Sequence, residues 1–434
     1  CFVAGKKLYV IKTPAGNVLG KVSTCIGREH WLDNADDKYD RGLIEDIKSL
    51  LRVLVLFIPL PVFWALFDQQ GSRWTFQADR MEQDIGSWTL KADQMQVLNP
   101  LLILIFIPLF EVAIYPFMTK CRLISKPLHK MIWGGLLAAA AFVISGIVEL
   151  NLLPTYGTPL VEGYSQLRVY NGFNCNYTFT SFEPYNNSTS DFNIGPLSVY
   201  ENLEMDAITF PNISYALRGV NGECIDNPHI GSFSVSSSTA NSFFINNQGI
   251  HAFVDNNDKP IDGVYVRFLV NSARAVPVTI VDSSKNRTKL SLDSNDKGQK
   301  KISKGSGDII VDGQTVLKDF KFRAGAVYTI NVYNDSNSIF VANPLTITPP
   351  NSVHILWLIP QYVVMTMGEV MFSVTGLEFS FTQAPATMKS VLQSVWLLTV
   401  AFGNLIVVLI VEGHFLNAQV KNYRIFYRKN GKNC

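Results

Sequence analysis

The sequence predicts an α-helical membrane bundle with an inserted all-β region. Three observations carry that fold class. Five stretches are long, apolar and almost free of charge. Between the third and the fourth lies a polar, turn-rich block that holds every Asn-X-Ser/Thr sequon in the chain. Lys and Arg collect in particular loops between the apolar stretches. Only 17% of the 434 residues are charged and the net charge is +2, against about 25% charged in an average soluble chain. Such a chain lacks the basic footprint of a nucleic-acid binder, and six cysteines are too few for a disulfide-dense scaffold.

A bilayer core of roughly 30 Å needs about 20 apolar helical residues. The windows are 50–67, 97–118, 131–148, 353–377 and 391–411. Among Asp, Glu, Lys and Arg they contain only Arg52, Glu111 and Glu369. A buried core helix competes for any single window, but five together read as membrane helices. The first holds Pro59 and Pro61. Prolines kink a helix, and membranes tolerate them where neighbouring groups satisfy the freed carbonyls.

Orientation follows from the short loops. Residues 1–49 contain Lys6, Lys7, Lys12, Lys21, Arg28, Lys38, Arg41 and Lys48, and residues 119–130 contain Lys120, Arg122, Lys126 and Lys130 without an acid. Both segments are placed in the cytoplasm. The 68–96 loop, with Arg73, Arg80 and Lys91 balanced by acids, is placed outside, and so is the block that follows residue 153.

Sequons begin at Asn176, Asn186, Asn187, Asn212, Asn286 and Asn334, all inside 154–352. Cys175 and Cys224 are the only cysteines of that block and are the natural disulfide pair in an oxidising compartment, the alternative being two buried thiols. Cys25 and Cys121 sit on the reducing side and should stay free. Short alternating runs at 166–170, 177–182, 264–270, 276–281 and 327–333, separated by turns such as Asp262-Gly263 and Asp312-Gly313, predict two sandwiches over 154–256 and 257–352. The stretch 285–307 reads as one long solvated loop rather than a basic binding patch. No metal-ligand spacing and no nucleophile constellation appears, so an enzyme is not expected.

Charged residues inside a membrane cost about 2.5–3.5 kcal/mol each on insertion scales and usually face a cavity or a partner. Glu369 therefore favours a solute pathway over a structural stalk. The first window ends in FWALFDQQGSRW at 63–74, where Trp64 and Asp68 are four apart and share a helical face. An aromatic at this depth serves either as an interface anchor or as a binding surface. That run, Gly368–Glu369, GLEFSFTQAP at 376–385, MKSVLQ at 388–393, REHWLD at 28–33 and DQMQ at 93–96 closely resemble animal proton-coupled oligopeptide transporters of the major facilitator superfamily. The resemblance covers residues 1 to about 411.

The resemblance implies the second half of a major facilitator fold. Residues 1–49 would then be a cytoplasmic linker, 50–153 helices seven to nine, 154–352 an extracellular tandem of immunoglobulin-like sandwiches, and 353–411 helices ten and eleven. By position, peptide-contacting roles fall on Phe63, Trp64, Gln70, Asn99, Glu369 and Trp396. Glu369 would pair with the peptide amino terminus. Arg52 and Glu111 match a gating pair in which relatives usually have Asp at the second position. Alternatively, Arg52 snorkels to lipid phosphate and Glu111 faces a helix outside this chain.

The chain starts at Cys1 without Met, and residues 412–434 form an aberrant basic tail, so a piece of a longer protein is expected. The implied function is proton-driven symport of di- and tripeptides by a multi-pass glycoprotein of the plasma membrane, with protons as coupling ion, no other cofactor, and the lipid bilayer as surroundings. The rival is a non-transporting membrane-anchored glycoprotein that binds an unknown extracellular partner through its sandwiches.

Overall fold

The computed structural model describes residues 39–412, apart from 87, 123–125, 161–162, 183–188, 207–211, 220–228, 256–258, 284–286 and 336–337. The chain divides into two compact units. The described helices of spanning segments are α1 (Arg41–Val55), α2 (Leu60–Phe67), α3 (Arg73–Asp79), α4 (Leu98–Leu109), α5 (Tyr115–Lys120), α6 (Pro127–Leu152), α7 (Ile359–Glu369), α8 (Thr375–Gln383) and α9 (Lys389–Glu412). Among the described residues, four segments are long and apolar enough to cross a membrane: Ala92–Lys120, Pro127–Thr155, Ile355–Gln383 and Lys389–Ile410.

The first apolar window is not a single rod. It is part of two pieces, Arg41–Val55 and Leu60–Asp79, bent by 46°. Pro59 caps the second piece and Pro61 sits in its first turn, where a missing N–H costs least. Before the bend, α1 buries Ile44, Ile47, Leu50 and Val53, a three-residue spacing that lines one helical face. Two spans carry π-helical turns, Phe110–Ile114 after α4 and Val370–Val374 after α7. The first follows Pro108, which lies inside α4 and removes a helical hydrogen bond. Phe110 of one π turn packs with Val370 and Met371 of the other in a buried cluster.

The second unit is β-rich. A small hairpin pairs β1 (Asp84–Ile85) with β2 (Trp88–Thr89). Then come β3 (Tyr164–Asn171), β4 (Tyr177–Phe182), β5 (Thr189–Ile194), β6 (Val199–Asp206), β7 (Asn212–Gly219), β8 (His229–Ser234), β9 (Ala240–Asn246) and β10 (Gly249–Val254). They form sheets β10-β9-β3-β6 and β5-β4-β7-β8. Leu167, Val169, Phe179, Leu217, Phe243 and Ile245 fill the core between them. A second set follows: β11 (Val264–Asn271), β12 (Pro277–Asp282), β13 (Thr288–Asp293), β14 (Lys300–Ile302), β15 (Gly305–Val311), β16 (Gln314–Phe322), β17 (Val327–Asn334) and β18 (Phe340–Thr348). These pair as β14-β11-β17-β18 and β13-β12-β15-β16. The two sets share one topology: the first strand runs parallel to the seventh in each, β3 with β9 and β11 with β17.

This architecture overturns the expected fold class. The chain is not a helical bundle making the second half of a major facilitator fold with a β insertion. Among the described residues, sixteen strands in four sheets dominate one unit, and only four spans pass as single segments. The physical reason is weighting. A membrane helix is an unbroken apolar window, whereas a strand contributes every second residue to a core and barely moves a hydropathy average.

The stretch 285–307 is also corrected. Its described part holds β13, β14 and the start of β15. In Thr288-Lys289-Leu290-Ser291-Leu292-Asp293, Leu290 and Leu292 alternate onto one face and pack against the second core. The charged residues take the other face of the strand.

One half-buried cation of this unit predicts a pH response. Lys259 Nζ donates to the carbonyls of Thr155 and Pro349, both at 2.9 Å. Burial, with the nearby Arg80 charge, lowers its pKa to about 8, below the roughly 10.4 of an unfolded lysine. Between those values the unfolded chain binds more protons, so stability rises with pH across that window. The cost of the buried charge is fully present below the folded pKa. Thermal melts of the detergent-solubilised chain should show a gain from pH 8 toward pH 10 that Lys259→Met removes; an unchanged gain in the variant would reject the assignment.

Candidate functional site

The six binding candidates fall on four spans of the helical unit, the bent pair counted as one. Phe63 and Trp64 lie on α2 and are buried, as are Gln70, in the 3-10 turn Asp68–Gly71, and Trp396 on α9. Asn99 opens α4, and Glu369 ends α7 directly before its π turn. The N-terminal proline kink sets α2 apart from α1, so the FWALFDQQ run follows its own direction.

Asn99 ties two spans together. Its Nδ2 donates to Glu369 Oε2 at 2.8 Å and to Thr366 Oγ1 at 3.2 Å. A carboxylate accepting an amide hydrogen bond retains acceptor capacity for a second donor. Next to this pair is an aromatic group. Phe63 stacks on Phe372 with centroids 3.9 Å apart, and Trp64 meets Trp396 edge-to-face at 6.1 Å. Phe57 in turn meets Trp396 at 5.6 Å. Thr366, Phe372 and Phe57 had no sequence signal of their own; each is apolar or small on an apolar helix and becomes visible only once the spans are side by side.

Close helix crossings hold these side chains. A Cβ on Gly403 of α9 would stand 2.5 Å from Trp64 Cβ, and one on Gly376 of α8 would stand 2.9 Å from Trp396 Cη2. Gly134 of α6 and Gly368 of α7 face each other in the same way.

The polar atoms around this aromatic group are unusual. Trp64 Nε1, Asp68 Oδ2, both amide atoms of Gln70, Ser72 Oγ and Trp74 Nε1 are buried without a hydrogen-bond partner among the described residues, as is Tyr362 Oη. Trp74 and Tyr362 pack edge-to-face at 5.0 Å. Each such group costs about 1–3 kcal/mol when buried unpaired. Six of these atoms lie within one stretch from Trp64 to Trp74 and offer donors and acceptors that a bound polar group could satisfy. A separate cleft of about 410 Å³ runs past Leu377, Glu378, Phe381 and Gln393 and contains none of the six binding candidates.

Other candidates are placed less tightly. Arg52 and Glu111 are both exposed, on α1 and in the first π turn, and no ion pair joins them among the described residues. Cys175 is disulfide-bonded, while Cys224 lies outside the described residues. Cys121 is a free, exposed thiol, and Cys25 lies outside the described residues. Asn176 precedes β4, Asn212 opens β7 and Asn334 ends β17. Asn186, Asn187, Asn286, the REHWLD motif and the basic tail beyond Glu412 lie outside the described residues. Among the described residues, no group of three or more His, Cys, Asp or Glu is placed to hold a metal ion.

The family model described as "PTR2: POT family" matches residues 1–190 and 327–422. The chain belongs to the POT family. It is 37% identical to Peptide transporter family 1 of Drosophila melanogaster over 98% of this chain and 59% of that one. It is 38% identical to Solute carrier family 15 member 2 of Danio rerio, over 95% and 60%. With Solute carrier family 15 member 1 of Homo sapiens it shares 35% identity, over 98% and 62%. The chain thus spans 59–62% of these relatives' lengths. A solved structure of the POT family transporter PepTSo aligns with a TM-score of 0.43 at 16% identity, covering 97% of this chain and 56% of that one. For this POT family member, membership agrees with the apolar spans and with the resemblance carried by the 63–74 and 376–393 motifs.

Proposed function

We propose that this chain is part of a proton-driven symporter of di- and tripeptides. It works by alternating access as a multi-pass protein of the plasma membrane, with residues 154–352 extracellular. The observation that carries the reading is the Asn99–Glu369 hydrogen bond beside buried aromatic rings and unpaired polar atoms. Relatives named as peptide transporters support the substrate class. Peptides of different sequence share termini and backbone. A broad transporter grips those features and leaves side-chain pockets loose. Glu369 takes the peptide ammonium, Gln70 and Asn99 serve backbone amides, and Phe63, Trp64 and Trp396 provide apolar walls. Arg52 and Glu111 form a gate in one state of the cycle, breaking as the protein changes access. Cys175 with Cys224, and glycans on the six sequons, belong to the outer block.

The test is Glu369→Gln in a protein containing this chain. The amide keeps an oxygen to accept from Asn99 and removes the charge. Dipeptides with a free amino terminus should lose about 1.5–3 kcal/mol of binding, roughly ten- to hundredfold, while amino-blocked analogues should lose little. Equal losses for both would assign Glu369 to packing or to proton movement.

A further inference from the structure

The segment Gln77–Lys91, which runs from the end of the bent pair to the Ala92–Lys120 span, belongs to the β-rich unit. It is knit there to the residues that lead into the third of the four single-segment spans. Glu82 N–H donates to the Val353 carbonyl at 2.7 Å, Ile355 N–H donates to the Glu82 carbonyl at 2.9 Å, and Asn351 Nδ2 donates to the Met81 carbonyl at 2.9 Å. His354 Nε2 reaches the Asp84 carbonyl at 3.0 Å. The hairpin beyond pairs Asp84 with Thr89 and Ile85 with Trp88, turning through Gly86 at φ +62°. Thr89 Oγ1 donates to Asp84 Oδ1 at 2.7 Å, and Lys304 Nζ of the second sandwich bonds the same carboxylate. The hairpin is therefore a fixed structure.

At this well-bonded junction, large apolar groups point away from protein. Trp88 is 56% exposed and Trp357 65%. Trp357 lies in the opening turn of the Ile355–Gln383 span, and its N–H donates to the His354 carbonyl. Ala92, where the next span opens, is four positions on from Trp88, so the chain holds Trp88 within roughly 14 Å of that span's end. Two tryptophans that leave a rigid junction at the ends of spans have the position of an interfacial aromatic belt, where an indole keeps its ring in apolar surroundings and its N–H in wet ones.

We propose that Trp88 and Trp357 insert into the headgroup region of the bilayer and anchor the base of the β-rich unit to lipid. The partner is a lipid surface. A second protein seated on the two rings is the competing occupant, and it would shield them from lipid.

The experiment reconstitutes the full chain in phosphatidylcholine vesicles, with or without bromine near the headgroup end of the acyl chains. Subtracting the emission of Trp88→Phe from that of the unaltered chain isolates the Trp88 signal. Trp357→Phe does the same for its partner ring, and both substitutions fall on exposed positions. Loss of each difference signal in brominated lipid is the expected result. A difference signal of equal intensity in brominated and plain lipid, for either residue, overturns the proposal.

Discussion

Gly134→Ala should destabilise the helical unit, while Gly135→Ala, one residue on, should not. A Cβ at Gly134 would stand 2.7 Å from the Gly368 carbonyl oxygen, 2.8 Å from Phe372 N and 2.9 Å from Phe372 Cβ. Two of those three atoms are backbone, which cannot swing aside, so α6 and α7 must part. Overpacking of this kind costs about 1–3 kcal/mol. At Gly135 nothing lies within 4 Å of the added carbon, and alanine brings its helix propensity, about 0.8–1.0 kcal/mol better than glycine. The displacement at Gly134 also reaches the site. Gly368 precedes Glu369, and Phe372 carries the ring that stacks on Phe63. Melting temperature in detergent and binding of a labelled dipeptide should both fall for Gly134→Ala and hold for Gly135→Ala. Matching behaviour of the two variants would mean that the crossing is not as tight as drawn.

Much of the helical unit was legible because its signals are local. Pro59 and Pro61 announce the bend between α1 and α2, and the apolar windows overlap the four spans and the bent pair, overrunning them by two residues at most. What sequence reading could not supply is which helices cross. Gly134 and Gly135 are adjacent and chemically identical; only the neighbouring helix tells them apart. The same holds for Thr366 and Phe372, ordinary residues on an apolar helix until Asn99 and Phe63 are laid beside them. Ser72 and Trp74 join the candidate site for a different reason. Their buried, unpaired atoms are a three-dimensional property with no sequence counterpart.

The β-rich unit was harder to weigh. Its strands at 264–270 and 327–333 stood out by alternation, and they are β11 and β17. Between them, Lys, Ser and Asp at the intervening outward positions mask Leu290 and Leu292, so the strand has the composition of a loop. The hairpin at Asp84–Thr89 is too short to leave a periodic trace. Its stability comes from Lys304, more than 200 residues away in sequence, and from the chain around His354. Contacts of that separation are set by topology rather than by local pattern. The fold class failed at this point, since an underweighted β unit turns a chain of two different units into a bundle with an insertion.

The largest loss of stability in the β-rich unit is expected at Asp255. Asp255 ends the first sandwich, immediately after β10, and Arg267 lies on β11 of the second. Arg267 Nη1 sits 2.6 Å from Asp255 Oδ1, with both side chains almost wholly buried. Ser242 Oγ donates to Asp255 Oδ2 at 2.8 Å, Tyr170 Oη does so at 3.2 Å, and Gln299 Nε2 donates to Oδ1 at 3.2 Å. Burial, with the Asp255 charge beside it, pushes the Tyr170 phenol well above its usual range, so Tyr170 stays a donor. The guanidinium also lies over the Phe253 ring at 4.4 Å. Asp255→Ala leaves Arg267 as a buried, unpaired cation, which costs about 3–5 kcal/mol. Arg267→Met removes the cation and leaves the carboxylate with three neutral donors, so it should cost less than Asp255→Ala. The double variant should cost clearly less than the sum of the two, because removing both charges together strands neither. It should not return to the starting stability, since Ser242, Tyr170 and Gln299 have lost their acceptor. Denaturant melts of the full chain and its three variants measure the coupling. Strict additivity would show that the two charges are solvated separately and that no ion pair locks the sandwiches.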